Sequence, residues 1–217
     1  MEYEEIIKKL KSLHNKKNVE GMARFGISSK NTLGVSVPNL RKIAKRTGKN
    51  HRLALKLWDS KIHEARILSS MVDDVNLLTE KQMDKWVKGF DSWDVCDEVC
   101  MNLFSRARFA EKKVKEWSRR KEEFVKRAAF ALIATMTVHR KDLKDKTLLK
   151  FLPIIQREAK DERNFVRKAV NWALRQIGKR NDNLKGAAIK TAESIGKMNS
   201  KSAKWIAKDA LRELKGR

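Results

Sequence analysis

Trp93 and Asp97, in Ser92-Trp93-Asp94-Val95-Cys96-Asp97, stand four residues apart, a spacing that puts an indole and a carboxylate on one face of a helix. Arg127 follows in Lys126-Arg127-Ala128-Ala129, and Trp172 in Lys168-Ala169-Val170-Asn171-Trp172-Ala173-Leu174-Arg175. An aromatic face beside an anion attracts a cation. A guanidinium grips a phosphate with two donors. In a chain of formal charge +24 this combination suits a cation carried on, or next to, a nucleic acid.

The charge limits the partners. Fifty-one Lys and Arg against 27 Asp and Glu argue for a polyanion held through phosphate contacts and counterion release. Acidic membrane surfaces, acidic proteins and a merely soluble basic surface are the competing readings. No apolar run approaches the roughly 20 residues of a membrane span, and the acidic opening Met1-Glu2-Tyr3-Glu4-Glu5 is unlike a signal peptide. The expectation is no membrane partner and a cytoplasmic protein. Cys96 and Cys100 make no disulfide framework, and on a helical wheel they lie beside Val95, Val99 and Leu103, as core. His14, His51, His63 and His139 show no ligand spacing, so neither a metal nor an organic cofactor is expected.

These residues must be positioned by helices. Strand signals are nearly absent, the chain is rich in good helix formers, and 41% apolar residues allow a real core in one domain over 1–217. Helices are predicted near 2–17, 37–47, 50–58, 61–73, 80–88, 93–105, 108–118, 121–137, 143–159, 162–178, 183–196 and 200–215. Start signals are Ser36 before Val37-Pro38, a Thr79/Gln82 capping box, and Ser200. Phe124-Val125-Lys126-Arg127-Ala128-Ala129 aligns with Phe165-Val166-Arg167-Lys168-Ala169-Val170 at an offset of 41, and a second 41 reaches Ile206-Ala207-Lys208-Asp209-Ala210-Leu211. This period fits HEAT or armadillo repeats, hence an all-α, right-handed α-α superhelix, a curved solenoid. Chance similarity among amphipathic helices is the alternative.

Wheels place the charge. In 165–178 the apolar face is Phe165, Val166, Ala169, Val170, Ala173 and Ile177, with Trp172 at its border beside Lys168, Arg175 and Lys179. Trp172 there either caps a helix seam or faces bound nucleic acid. In the last helix Lys201, Lys204, Lys208, Arg212 and Lys215 form a stripe opposite Ala203, Ile206, Ala210 and Leu214. Arg127 neighbours Ala131 and Ala134, small residues that would let a phosphate approach; an ordinary seam with a solvent-exposed arginine is the other reading. Basic residues repeated on successive helices predict a continuous concave track for nucleic acid.

Taken in order, Trp93 and Asp97, Arg127, and the segment from Lys168 to Arg175 resemble the DNA alkylation repair family of HEAT-like DNA glycosylases, from about Gly34 to the end. The resemblance implies a monomer acting in base excision repair, nucleoid-associated when bound to DNA. It would excise cationic N3- and N7-alkylated purines from duplex DNA without flipping the base out. Trp93 and Trp172 would be aromatic walls at the deoxyribose, Asp97 the catalytic carboxylate and Arg127 a phosphate clamp. Lys168, Arg175, Lys179, Lys204 and Lys208 would be further DNA contacts.

A cationic base is already a good leaving group, so no general acid is needed. A carboxylate and two π-faces can stabilise oxocarbenium character at C1′ and position water. Neutral lesions such as uracil need protonation, and no histidine is expected near the proposed site, His63 and His139 lying outside these motifs, so their release is not expected. His63-Glu64-Ala65-Arg66, Cys96 and Asn171 depart from the best-studied members. A non-catalytic binder of distorted or branched DNA, needing only the basic track, stands as the alternative. An RNA-binding or scaffold solenoid is a third.

Overall fold

Caps and core stripes divide the chain into fourteen α-helices, seen in a computed structural model that describes residues 1–216. Every regular element among the described residues is helical. They fall into two compact units, one from Met1 to Ala107 and one from Arg108 onward.

The first unit holds α1 (Tyr3–Ser12), α2 (Lys16–Ala23), α3 (Val37–Thr47), α4 (His51–Asp59), α5 (His63–Val72), α6 (Glu80–Lys88) and α7 (Trp93–Asn102). The predicted helix 2–17 is broken, because the Asn15 side chain accepts from Asn18 N–H and caps a new helix. The Thr79 hydroxyl accepts from Gln82 N–H, but the reciprocal half of that capping box is missing. Gln82 instead donates its side-chain amide to Asp73. Trp58 stacks on Trp86 at 4.4 Å, and Phe90 and Phe104 complete an aromatic core beneath α4 and α6.

Within this unit α5 packs on α3, α4 and α7, and nearly every residue of α5 is buried, its charged first turn included. That turn is the His63-Glu64-Ala65-Arg66 segment, and each polar member has a fixed partner. His63 Nε2 lies 2.7 Å from Asp94 Oδ2. Arg66 donates to the Gly89 carbonyl at 2.9 Å, pairs with Asp91, and lies over Trp58. Glu64, 1% exposed, accepts the backbone N–H groups of Leu33, Gly34 and Val35. Unpaired, these polar groups would cost several kcal/mol. Paired, they tie α5 to the loop before α3 and to the start of α7.

The second unit holds α8 (Ala110–Trp117), α9 (Glu123–His139), α10 (Asp145–Leu149), α11 (Leu152–Glu158), α12 (Asn164–Gly178), α13 (Asp182–Gly196) and α14 (Lys201–Leu214). Pro153 lacks an N–H and divides the predicted helix 143–159 into α10 and α11. Helix α9 is apolar almost all round and accordingly buried.

The 41-residue offset is physical stacking. Phe124 lies on Phe165 with ring centroids 5.5 Å apart, and the residues preceding α9 and α12 share the same backbone angles. Arg180 reaches back 43 residues to Thr137, and also to Lys141 and Leu143, covering carbonyls at and just beyond the end of α9. Arg163 does the same 42 residues back, to Lys121.

Candidate active site and nucleic-acid interface

Helix α7 buries Val95, Cys96, Val99 and Cys100 in the first unit, confirming both cysteines as core. Period 3.6 then turns Trp93, Asp94, Asp97 and Glu98 to the opposite side, where all four line a cleft of about 730 Å³. Its facing wall is α2 with the loop after it, including Lys17, Glu20, Arg24 and Phe25; His63 and Glu64 form part of its floor. Trp93 Nε1 donates to the Phe25 carbonyl at 3.1 Å, which fixes the indole, while Phe25 itself is 69% exposed. Gly34 is required beneath: its φ is +72°, and a Cβ there would lie 2.3 Å from the Asn15 carbonyl oxygen.

Five carboxylates (Glu20, Glu64, Asp94, Asp97, Glu98) face this cleft against two cationic side chains, Lys17 and Arg24. In a protein of charge +24 this is a local inversion of sign. Burial pushes the Asp94 carboxyl up, but the hydrogen bond and charge of His63, with help from Val95 N–H, hold it below the ordinary carboxylate range. The arrangement is an anionic, aromatic-walled cleft suited to a cation.

The structure thus brings Trp93 and Asp97 together, as their spacing predicts, and adds a histidine that the motifs do not include. His63 shares their cleft, which corrects the expectation of no histidine near the site. It is 5% exposed and its Nε2 is committed to Asp94. The signal for it was the His63-Glu64-Ala65-Arg66 segment, whose burial could not be read without the fold.

The remaining predicted residues lie in the second unit. Arg127 is 6% exposed and donates to the Phe165 carbonyl at 2.6 Å, so the open approach inferred from Ala131 and Ala134 is not present. Those alanines are themselves buried, and Arg127 acts as a strut from α9 to α12. Trp172, well inside α12, is half-buried. Arg175 pairs with Glu213 and lies 3.7 Å from Asp209, and Lys179 pairs with Glu213 at 2.7 Å. These two cations, expected on the DNA track, are largely neutralised within the protein. Lys168, Lys204 and Lys208 are exposed, and among the described residues no acidic side chain pairs with them. Ion pairing could not be seen on a single-helix wheel, because Glu213 arrives from α14.

The family model for the DNA alkylation repair enzyme matches residues 6–214. Lin0241 of Listeria innocua and Lmo0209 of Listeria monocytogenes, both uncharacterised, are each 23% identical over 201 residues, covering 91% of this chain and 88% of theirs. A solved structure from a family described as related to the HEAT-like repeat DNA glycosylases, with affinity for branched DNA structures, superposes with a TM-score of 0.82. It is 18% identical and covers 98% of this chain and 95% of that one. At that identity the likeness is one of fold, an α-solenoid of HEAT-like repeats.

Proposed function

Since this chain belongs to the DNA alkylation repair enzyme family, we propose that it is a DNA glycosylase excising cationic N3- and N7-alkylated purines from duplex DNA. The observation that carries this reading is the anionic cleft walled by Trp93 and Asp97. As the C1′–N bond breaks, its electron pair moves to the base and cancels the positive charge there. Cationic character passes to the sugar. Asp97 is assigned to stabilise that charge and to orient the water that attacks C1′ and then loses a proton. Trp93 supplies a π-face held in place by the Phe25 carbonyl. Trp172 keeps the role of an aromatic face toward bound DNA that the family resemblance implies. No cofactor is required by this chemistry, and the acting species is a monomer on DNA, in the cytoplasm.

Exposed Lys168, Lys204 and Lys208 supply phosphate contacts. Since His63 holds Asp94 and is nearly inaccessible, it is not offered as a general acid for neutral bases. The test is a single-turnover comparison of 7-methylguanine and uracil release from matched duplexes. Release of 7-methylguanine alone is expected, whereas equal rates would overturn the role of lesion charge. The second reading, a non-catalytic binder of distorted or branched DNA, is favoured by the description of the structural neighbour and needs only the unpaired lysines.

A further inference from the structure

Along the seam of α12 and α14 the acidic groups of α14 are already occupied. Asp209 takes Asn171 and Arg212, and Glu213 takes Arg175 and Lys179. Lys201, Lys204 and Lys208 on α14, and Lys168 on α12, are exposed and have no acidic partner among the described residues. Among them stands Trp205, 36% exposed, with the Arg167 guanidinium 5.1 Å from its ring centroid. Trp205 is one residue from Lys204, and one helical turn from Lys201 and from Lys208.

An indole more than a third exposed forgoes part of the free energy its full burial would give, and the buried face of α14 is completed without it by Ala203, Ile206, Ala207, Ala210 and Leu214. The guanidinium orients the ring and adds positive charge beside it. Lysines on both sides are placed for backbone phosphates. Such a combination of a stacking surface and flanking cations binds nucleobases through their π-faces. In an intact duplex those faces are covered by neighbouring pairs; at a gap, flap or junction one is free.

We propose that Trp205, backed by Arg167 and flanked by these lysines, is a stacking site for an unpaired nucleobase, directing this surface to interrupted DNA. The proposal rests on the reading of the partner as DNA. It is tested by measuring the affinity of the full chain for an intact duplex and for the same duplex carrying a short thymine gap, at one salt concentration. Trp205→Ala should lose about tenfold on the gapped DNA, the size expected for one stacked base, and less than twofold on the duplex. Trp205→Phe, which keeps an aromatic face, should recover most of the loss. Lys204→Gln should weaken both substrates alike. Equal effects of Trp205→Ala on both substrates, or none on either, would overturn the stacking site while leaving DNA binding intact. Failure of the parent chain to bind either DNA would overturn the reading beneath it. Should Trp205→Ala lose its native melting transition, the comparison of Trp205→Phe with the parent decides: a gap preference abolished in a fully aromatic variant contradicts the proposal.

Discussion

Replacing Glu64 tests how the cleft is built. Its carboxylate receives Leu33 N–H at 2.9 Å on one oxygen, and Gly34 at 2.6 Å and Val35 at 3.3 Å on the other. Hydrogen bonds to a charged group contribute about 1.5–3 kcal/mol each, and a stranded buried donor costs about 1–3 kcal/mol. The three share one acceptor group and are not additive. Glu64→Ala is therefore expected to destabilise by ~4 kcal/mol, lowering the melting temperature by about 10 °C at roughly 2–4 °C per kcal/mol for a chain of this size. Glu64→Gln keeps an oxygen where Gly34 and Val35 donate and should cost only ~1–2 kcal/mol. Calorimetry measures both, and hydrogen exchange should show protection lost first at Leu33, Gly34 and Val35. A loss below ~1 kcal/mol for Glu64→Ala, or equal losses for both variants, would refute the carboxylate as the anchor of this loop.

The ion pairs of the second unit divide its cations by function. Lys204→Gln with Lys208→Gln should make the log–log salt dependence of duplex binding shallower by about two units, whereas Arg175→Gln with Lys179→Gln, already paired with Glu213, should change it by less than one; equal changes in filter-binding titrations contradict this division. Arg127→Ala should cost ~2–3 kcal/mol of stability, by denaturant titration, through its lost bond to Phe165, and an unchanged unfolding midpoint would show that the strut carries no load. Because the Asp94 carboxyl is held below its ordinary range, its ionised form stabilises the fold above that range, and the contribution is lost as pH falls through the depressed value. Asp94→Asn should flatten the acid limb of the stability–pH curve, and an unaltered limb would remove His63–Asp94 as its source.

What the sequence discloses follows the range of the interactions. Helix periodicity and the 41-residue offset are local patterns repeated, so the all-helical repeat architecture and the cores of α12 and α14 are legible. The Trp93–Asp97 pair is legible for the same reason, because four residues on one helix fix a shared face. The partners of charged residues are set by other helices and are not legible this way. Arg127 meets a carbonyl of α12, Arg175 and Lys179 meet an acid of α14, and His63 meets the first turn of α7. Breaks at Asn15 and Pro153 had visible causes, a capping side chain and a missing N–H, that the apolar periodicity across them concealed.

Asp97 is proposed to perform the chemistry in the cleft it shares with Trp93. The direct measurement is single-turnover formation of abasic sites in duplex DNA carrying 7-methylguanine, for the parent chain and for Asp97→Asn, with duplex affinity and melting temperature recorded in parallel. The variant is expected to fold and bind DNA nearly as the parent does while excision falls about 100-fold, the ~3 kcal/mol expected for one electrostatic catalytic group. Excision at the parental rate in Asp97→Asn would contradict that role.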